Sequence, residues 1–433
     1  MNVSYFYGFD DHPQRYPRGP EHRAAALTRA ILLFRQRYKK GELSPESTRD
    51  GPLCMDTYRW MFDCCRVPGA EGIDWAVTYS NYDDQASSGH IIVLRKNRVW
   101  KVDIAKHGVL LGTSDLENQF NYIYTNSTEE YPAVGVLTAS NRDVWATDYS
   151  ALANNPQNAA IIKAIHSAAF LVCLDDTTPP NIPSFSRQLW HGGAHGSWLA
   201  NRWVDKPVQL IVCDGANARA GIMGEHSVMD GTPTARMCDD ILDWLADPSF
   251  DHGTPCSSLA PPEPLDWHIS APVASAITRA QQAARELTDA QTLGFLLTPY
   301  GKGAVKRFGI SPDSWTQLLV QLAYARLLHS HGLERAGGTY EAASTRRFFK
   351  GRTEAIRVVT TESDAWVRAM DDEQASDEVK RSLLKGAAKQ HIQLAREAGN
   401  AQGVDRHLLG EFGMPLFMSK NTSDPVTDIL MKD

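Results

Sequence analysis

The sequence predicts two mixed α/β domains joined near residue 265, and three observations favour this fold class. Strand-like runs rich in β-branched residues are concentrated in the first part of the chain. A stretch rich in proline, serine and glycine, from residue 247 to residue 272, is the best candidate boundary. Beyond it the pattern becomes helical. We therefore predict domains over residues 1–265 and 266–433, each long enough for its own core.

The first domain is predicted from one helix and three strand-forming segments. Residues 19–41 place apolar side chains at helical spacing among arginines, which predicts an amphipathic helix. Residues 90–104 form two β-rich runs around a polar turn, which is typical of a hairpin. Residues 207–213 predict a buried strand, and a turn then leads into a second strand over residues 220–225.

The second domain is predicted to be mainly helical at its start and near its end. Helical patterns cover residues 273–287, 311–329 and 377–399. Ser311 before Pro312 predicts a helix N-terminus, because serine caps the first free N–H groups and proline suits the first helical position.

Composition excludes several classes of protein. Hydrophobic residues make up 42% and charged residues 22%, as in ordinary globular proteins. A net charge of −7 argues against a nucleic-acid partner, which needs a basic surface. The seven scattered cysteines lack metal-ligand spacing and predict reduced thiols and no metal site. With no secretory segment and no membrane-length apolar run, we expect an intracellular protein, and the sequence does not distinguish between compartments.

His226 is the candidate catalytic residue. It directly follows the predicted strand over residues 220–225. Asp230 and Gly231 come four and five residues later, which gives a His-x-x-x-Asp-Gly pattern. A neutral imidazole, with a pKa of about 6.5, can take the proton of an attacking nucleophile near neutral pH. We expect Asp230 to hold the loop rather than to act in a relay with His226. Taken alone, such a histidine near an aspartate is more often a hydrogen-bonded loop residue.

Other segments decide between these interpretations, because their order and spacing match a known family. They lie at residues 65–69, 135–138, 141–146, 201–206, 225–231, 300–302, 311–313, 339–344, 351–353 and 405–409. From about residue 1 to residue 410 the chain resembles the carnitine/choline acyltransferase family. The sequence Gly-Glu-His-Ser-Val-Met-Asp-Gly-Thr-Pro at residues 224–233 resembles the fungal carnitine acetyltransferase branch.

This resemblance implies a fold and an activity. The implied fold has two domains, each with a mixed sheet flanked by helices as in chloramphenicol acetyltransferase, and a substrate tunnel between them. The implied reaction is reversible transfer of a short acyl group between CoA and the hydroxyl of L-carnitine, with His226 as general base. Acyl-CoA is then a substrate and not a permanently bound cofactor, L-carnitine is the second partner, and the protein is expected to be a monomer.

The resemblance also implies a CoA site in the second domain. Lys302 and Lys306 match the lysines that hold the CoA phosphates, and Asp313 matches a contact on the pantetheine side. Glu341 is a further residue expected on the CoA side. Paired ammonium groups suit a phosphate in an otherwise acidic protein. Without the neighbouring matches, the same lysines would be typical of a solvated pair ahead of a helix.

Carnitine is implied as the acceptor by three residues. Tyr340, Thr353 and Arg406 match positions that bind the carnitine carboxylate. Choline has no carboxylate, and in choline acetyltransferases the corresponding positions resemble Val and Asn instead of Thr and Arg, because a buried guanidinium would lack its anion. Asp230 and Arg352 match the family ion pair that positions the histidine loop.

Two departures from the family pattern leave alternatives open. The Ser-Thr-Ser motif, whose first serine is thought to stabilise the oxyanion, has no convincing equivalent at Ser419 or Ser423. The N-terminal segment of the family also precedes anything in this sequence, so we expect a chain that is incomplete relative to the family. One alternative is therefore a truncated, inactive member. Another is an acyltransferase that uses a different alcohol in biosynthesis.

Overall fold

The computed structural model describes residues 4–69, 72–81, 84–192, 198–335 and 337–410. The chain forms two compact units: unit 1 is Met1–Ser44 with Thr57–Phe295, and unit 2 is Pro45–Asp56 with Leu296–Asp433. The predicted boundary at residue 265 falls within unit 1, because the helix Ala271–Asp289 that follows it packs into the core of that unit.

Runs of consecutive strands and runs of consecutive helices follow one another along the described chain. The strands, in chain order, are β1 (Tyr5–Gly8), β2 (Ser47–Thr48), β3 (Gly51–Pro52), β4 (Cys64–Val67), β5 (Trp75–Thr78), β6 (His90–Arg95), β7 (Arg98–Asp103), β8 (Ala105–Lys106), β9 (Val109–Leu110), β10 (Leu171–Asp175), β11 (Val208–Cys213), β12 (Ala220–Gly224), β13 (Glu263–Leu265), β14 (Glu341–Ser344) and β15 (Thr353–Ile356). The helices are α1 (Pro20–Lys39), α2 (Thr113–Asn126), α3 (Arg142–Ala153), α4 (Pro156–Ser167), α5 (Ile182–His191), α6 (Gly231–Ala246), α7 (Ala271–Asp289), α8 (Lys302–Arg307), α9 (Pro312–Ser330), α10 (Thr361–Met370) and α11 (Asp377–Gly399).

Unit 1 is built on a seven-stranded sheet in the order β1-β12-β11-β10-β6-β7-β13. Strand β10 runs parallel to β6 and to β11, and the other neighbours are antiparallel, so the sheet is mixed. The predicted hairpin is β6 with β7, and the two strands predicted before His226 are β11 and β12. All of these predictions are confirmed, with ends that differ by one or two residues.

Helices cover both faces of this sheet. Leu171 and Cys173 alternate along β10 and join a buried cluster with residues of α3, α4, α5 and α7. On the other face, α1 packs against β10 and β11 and against α2 and α6. This arrangement follows from the two-residue period of a strand, which points successive side chains to opposite faces. The predicted α/β class, a mixed sheet flanked by helices, is confirmed.

Unit 2 is smaller and mainly helical within its described residues. Helices α9, α10 and α11 pack together around Leu318, Leu322 and Trp366. The predicted helices over residues 311–329 and 377–399 are confirmed as α9 and α11. The described strands of this unit form two antiparallel pairs, β2 with β3 and β14 with β15, whereas the resemblance implied a mixed sheet.

The cysteines and the helix lengths bear on two expectations from composition. All seven cysteines are free in the structure. Burial raises the pKa of Cys64 and of Cys173 to about 12, so these thiols stay protonated near neutral pH. Among the described residues, no helix combines the length and the apolar character needed to cross a bilayer.

Candidate active site

His226 lies in the short loop between β12 and α6 in unit 1. Strand β12 pairs with β1, and this pairing places Tyr5 opposite Gly224. The Tyr5 ring meets the His226 ring edge-on, with centroids 5.0 Å apart and an interplanar angle of 76°. A Cβ at Gly224 would lie 2.5 Å from a Tyr5 ring carbon, so only glycine admits the tyrosine here. An interior strand and an aromatic ring thus position the histidine.

The hydrogen bond of the His226 ring defines its tautomer. Nδ1 lies 2.8 Å from the carbonyl oxygen of Met229. Because a carbonyl oxygen can only accept, Nδ1 carries the hydrogen, and the neutral ring presents its lone pair on Nε2. The nearest carboxylate oxygen of Asp230 is 3.7 Å from Nδ1, beyond hydrogen-bond distance. The side chain is 39% exposed, which leaves a route for a reactant.

Tyr5 also joins the first turn of α6 to the edge of the sheet. Its hydroxyl lies 2.7 Å from Oγ1 of Thr234 and donates to the backbone carbonyl of Asp230 at 3.3 Å. Burial raises the pKa of Tyr5, so the hydroxyl remains a proton donor across the physiological range. The loop that carries His226 is therefore fixed at its α6 end by a side chain from β1.

The carboxylate of Glu225 fixes the other end of the loop. It accepts from the backbone N–H of Ser227 at 3.0 Å, from the Ser227 hydroxyl at 2.6 Å and from Nη1 of Arg66 at 3.0 Å. Glu225 is only 1% exposed, so each of these bonds compensates a charge removed from water. Because Glu225 and Ser227 flank His226, the three bonds restrain the backbone on both sides of the histidine.

Arg66 extends this arrangement into a network of alternating charges. Asp74 accepts from Nε of Arg66 at 2.7 Å and from Nε of Arg142 at 2.6 Å. Asp205 accepts from Nη1 of Arg142 at 2.7 Å and from the indole N–H of Trp145 at 2.7 Å. Burial raises the pKa of Asp205, and Arg142 opposes that shift. We call Arg66, Asp74, Arg142, Asp205 and Glu225 the loop network.

In unit 2, the residues predicted on the CoA side lie on α8 (Lys302 and Lys306), in the first turn of α9 (Asp313) and in β14 (Glu341). Lys302 and Lys306 are one turn apart on α8 and both are exposed. Asp313 is in the first turn of α9, where the Ser311 hydroxyl caps the helix as predicted by accepting from the N–H of Ser314. One turn of helix brings the two ammonium groups to the same side of α8.

Asp313 and Glu341 converge with a residue that the sequence did not indicate, His391 of α11. Ligand-type atoms of these three side chains all lie within 4.8 Å of one another, a grouping that a metal ion could occupy. Both ring nitrogens of His391 are engaged, however: Nε2 with Glu341 at 2.8 Å and Nδ1 with the Ser314 hydroxyl at 2.8 Å. Burial raises the pKa of Glu341, His391 lowers it, and Asp313 raises it further.

The residues predicted for carnitine are partly brought together. Nη2 of Arg406 donates to Oγ1 of Thr353 at 3.2 Å, and Nε donates to the Thr353 carbonyl at 3.0 Å. The backbone N–H of Arg406 donates to the buried carboxylate of Glu354 at 3.3 Å. Tyr340, just before β14, is 61% exposed. The structure thus places a guanidinium and a hydroxyl side by side on the surface of unit 2.

The roles assigned to all of these residues stay predictions. Asp230 belongs to unit 1 and Arg352, just before β15, to unit 2, so their pairing is still an expectation. Ser419 and Ser423 lie outside the described residues.

Comparison with known proteins places the chain in a family. Residues 1–426 match the family model described as Choline/Carnitine o-acyltransferase. Mitochondrial carnitine O-acetyltransferase of Saccharomyces cerevisiae is 31% identical over 425 residues, which cover 94% of this chain and 61% of the relative. Carnitine O-acetyltransferase of Columba livia is 32% identical over 396 residues, covering 89% of this chain and 61% of the relative. The chain belongs to the choline/carnitine acyltransferase family.

A third relative carries a different acyl group in its name. Peroxisomal carnitine O-octanoyltransferase of Bos taurus is 30% identical over 400 residues, which cover 89% of this chain and 64% of the relative. The chain therefore spans a little over three fifths of the length of these relatives.

Proposed function

We propose that this protein transfers a short acyl group reversibly between CoA and the hydroxyl of L-carnitine, with His226 as the general base. The observation that carries the proposal is the bond from Nδ1 of His226 to the Met229 carbonyl, because it leaves Nε2 as the basic nitrogen. Membership of the family and relatives named carnitine O-acetyltransferase support the reaction class. Relatives named mitochondrial and peroxisomal support an intracellular site of action.

The proton transfers follow from that tautomer. In the forward direction Nε2 takes the proton of the carnitine hydroxyl while the hydroxyl oxygen attacks the thioester carbonyl of acyl-CoA. The carbon–sulfur bond then breaks, and the CoA thiolate receives the proton from the imidazolium. In the reverse direction the CoA thiol is the proton donor and the acylcarnitine ester is attacked. An imidazole suits both directions, because the same nitrogen can take a proton and release it again.

The residues of unit 2 support an acceptor that carries a carboxylate and an acyl donor that carries phosphates. Lys302 and Lys306 present ammonium groups suited to CoA phosphates, and Asp313 with Glu341 offers acceptors to the pantetheine arm. Arg406, held beside Thr353, presents donors suited to the carnitine carboxylate. An alcohol acceptor without a carboxylate would leave this guanidinium without its anion.

An exchange assay with acetyl-CoA and L-carnitine tests the proposal on the purified full chain. We expect release of free CoA that depends on carnitine, and a rate roughly 10²–10⁴-fold lower in His226→Ala, the usual contribution of a general base. His329→Ala, at an exposed histidine of α9, is the matched control and should retain the parental rate.

Three results would count against the proposal. A His226→Ala variant as fast as the parent would remove His226 from the role of base. A parent protein that folds and binds CoA without turnover would favour an inactive member of the family. Turnover with another alcohol but not with carnitine would favour the alternative acceptor.

A further inference from the structure

His391 is a buried histidine with an unusual set of contacts in unit 2. It lies on α11, is 5% exposed, and bridges two other elements. Nδ1 contacts the Ser314 hydroxyl at the start of α9, and Nε2 contacts the Glu341 carboxylate in β14. Neither the sequence pattern nor the comparisons give this residue a role.

The contacts assign the protons. An ionised carboxylate only accepts, so Nε2–H donates to Glu341 and Nδ1 accepts from the Ser314 hydroxyl. The order serine, histidine, carboxylate resembles a hydrolytic triad, but Ser314 is fully buried and its oxygen is unavailable as a nucleophile. Its hydroxyl instead fixes the tautomer in which the ring donates to Glu341.

We propose that His391 is a positioning residue for CoA binding, which holds the Glu341 carboxylate oriented beside Asp313 to accept hydrogen bonds from the pantetheine arm. This inference rests on the proposed function, which supplies CoA as the ligand. The amide N–H and hydroxyl groups of pantetheine are neutral donors, and their binding depends on acceptors that are already oriented. Asp313 is exposed and Glu341 half-buried, so both carboxylates can be reached from solvent.

Charge explains why the carboxylates need a partner. Burial and the neighbouring Asp313 raise the pKa of Glu341, whereas His391 lowers it. Without the ring N–H, the two carboxyl groups would favour sharing a proton, and Glu341 would lose acceptor capacity. The histidine thus does more than join three elements of the fold: it stabilises the ionised form of a residue that faces the ligand.

Two substitutions separate this role from a purely structural one. In His391→Gln, the amide nitrogen reaches the position of Nε2 and can still donate to Glu341. In His391→Asn, the shorter amide reaches the position of Nδ1 and keeps Ser314 within range but loses Glu341. Both variants place a neutral amide in the same buried site, so their costs in stability should be similar.

CoA binding to the full chain is measured by isothermal titration calorimetry, together with urea unfolding and steady-state kinetics. We expect the Kd for CoA to rise about tenfold in His391→Asn, as for loss of one charge-assisted hydrogen bond. In His391→Gln it should stay within about threefold of the parent. The KM for CoA should follow the Kd in both variants, while kcat and the KM for carnitine stay near parental values.

Several outcomes would overturn the inference. A parental Kd in His391→Asn would do so, and so would equal rises in both variants that track lost stability. If the parent protein binds no CoA, the proposed function fails and the ligand part of the inference fails with it. The effect of His391 on Glu341 is then measured by carbon-13 titration of the Glu341 carboxyl, assigned with Glu341→Gln. A pKa unchanged by His391→Asn refutes the positioning role.

Discussion

The charged residues around His226 in unit 1 and those predicted to bind substrates in unit 2 differ in how far they are removed from water. In unit 1, Glu225 and Asp205 are each 1% exposed and are held by arginines and by N–H groups of the protein. In unit 2, Lys302, Lys306 and Arg406 are exposed. The two carboxylates of unit 1 are paired with arginine within the chain, whereas these three cations of unit 2 face solvent.

This difference separates two tasks that an acyltransferase must perform. A general base needs a fixed ring, and buried ion pairs restrain a loop because breaking them would leave a charge uncompensated. A site for an anion needs exposed cations whose bound water the anion can displace. We therefore expect substitutions in the loop network to affect stability and kcat, and substitutions of the exposed cations to affect binding. Three measurements test this comparison.

The largest effect is expected at Asp205. Asp205→Ala removes the acceptor of Arg142 Nη1 and of the Trp145 indole N–H and leaves Asp74 as the carboxylate partner of Arg142. It should lower the free energy of unfolding by about 3 kcal/mol. The matched control is Asp371→Ala, which breaks an ion pair with Arg326 whose side chains are 52% and 54% exposed. The control should cost about 1 kcal/mol or less. Equal losses in urea unfolding would contradict the distinction between buried and exposed charges.

Glu225→Gln should affect turnover more than binding. The amide keeps the shape of the side chain but turns a donor toward Arg66 or Ser227, so the His226 loop loses a restraint. We expect kcat to fall roughly 10–100-fold, as for a displacement of about 1 Å in a catalytic group. Ser227→Ala retains the backbone bond and should lose less. A rise in KM at unchanged kcat would show that Glu225 acts on binding instead.

The smallest effect is expected at Arg406, and it should be selective. Arg406→Asn removes the guanidinium beside Thr353 and should raise the KM for carnitine about tenfold. Inhibition by choline, which lacks a carboxylate, should change little. Arg381→Asn, at a residue with a side chain 76% exposed on α11, serves as the control. Equal losses for carnitine and choline would remove Arg406 from the carboxylate site.

The sequence predicted the elements that local pattern determines. The hairpin over residues 90–104, the paired strands before His226 and the capped start of α9 all follow from alternation, turn residues and a serine cap. The boundary differed, because the proline-rich stretch before α7 crosses the surface of unit 1 and does not end it. Composition marks a loop, but packing decides to which core the next helix belongs.

The loop network and His391 carry no comparable local signal. Arg66 and Glu225 are 159 positions apart in sequence, and Glu341 and His391 are 50 apart. An arginine or histidine in isolation is usually an exposed or hydrogen-bonded residue, and only the fold brings each to its partner. The segments at residues 65–69, 141–146 and 201–206 match the family pattern in sequence. The structure adds that their charged side chains form ion pairs with residues distant in sequence, as Arg142 does with Asp74 and Asp205.

Strand β1 has a consequence for the order of folding. Tyr5, which contacts the His226 ring, bonds to Thr234 across 229 positions of the chain. During synthesis β1 therefore emerges long before its partner β12, and the pairing has a high contact order. The surroundings of His226 therefore form only when β1 pairs with β12. In partly folded chains His226 would thus lack its contact with Tyr5, and hydrogen exchange along β12 would measure the population of such chains.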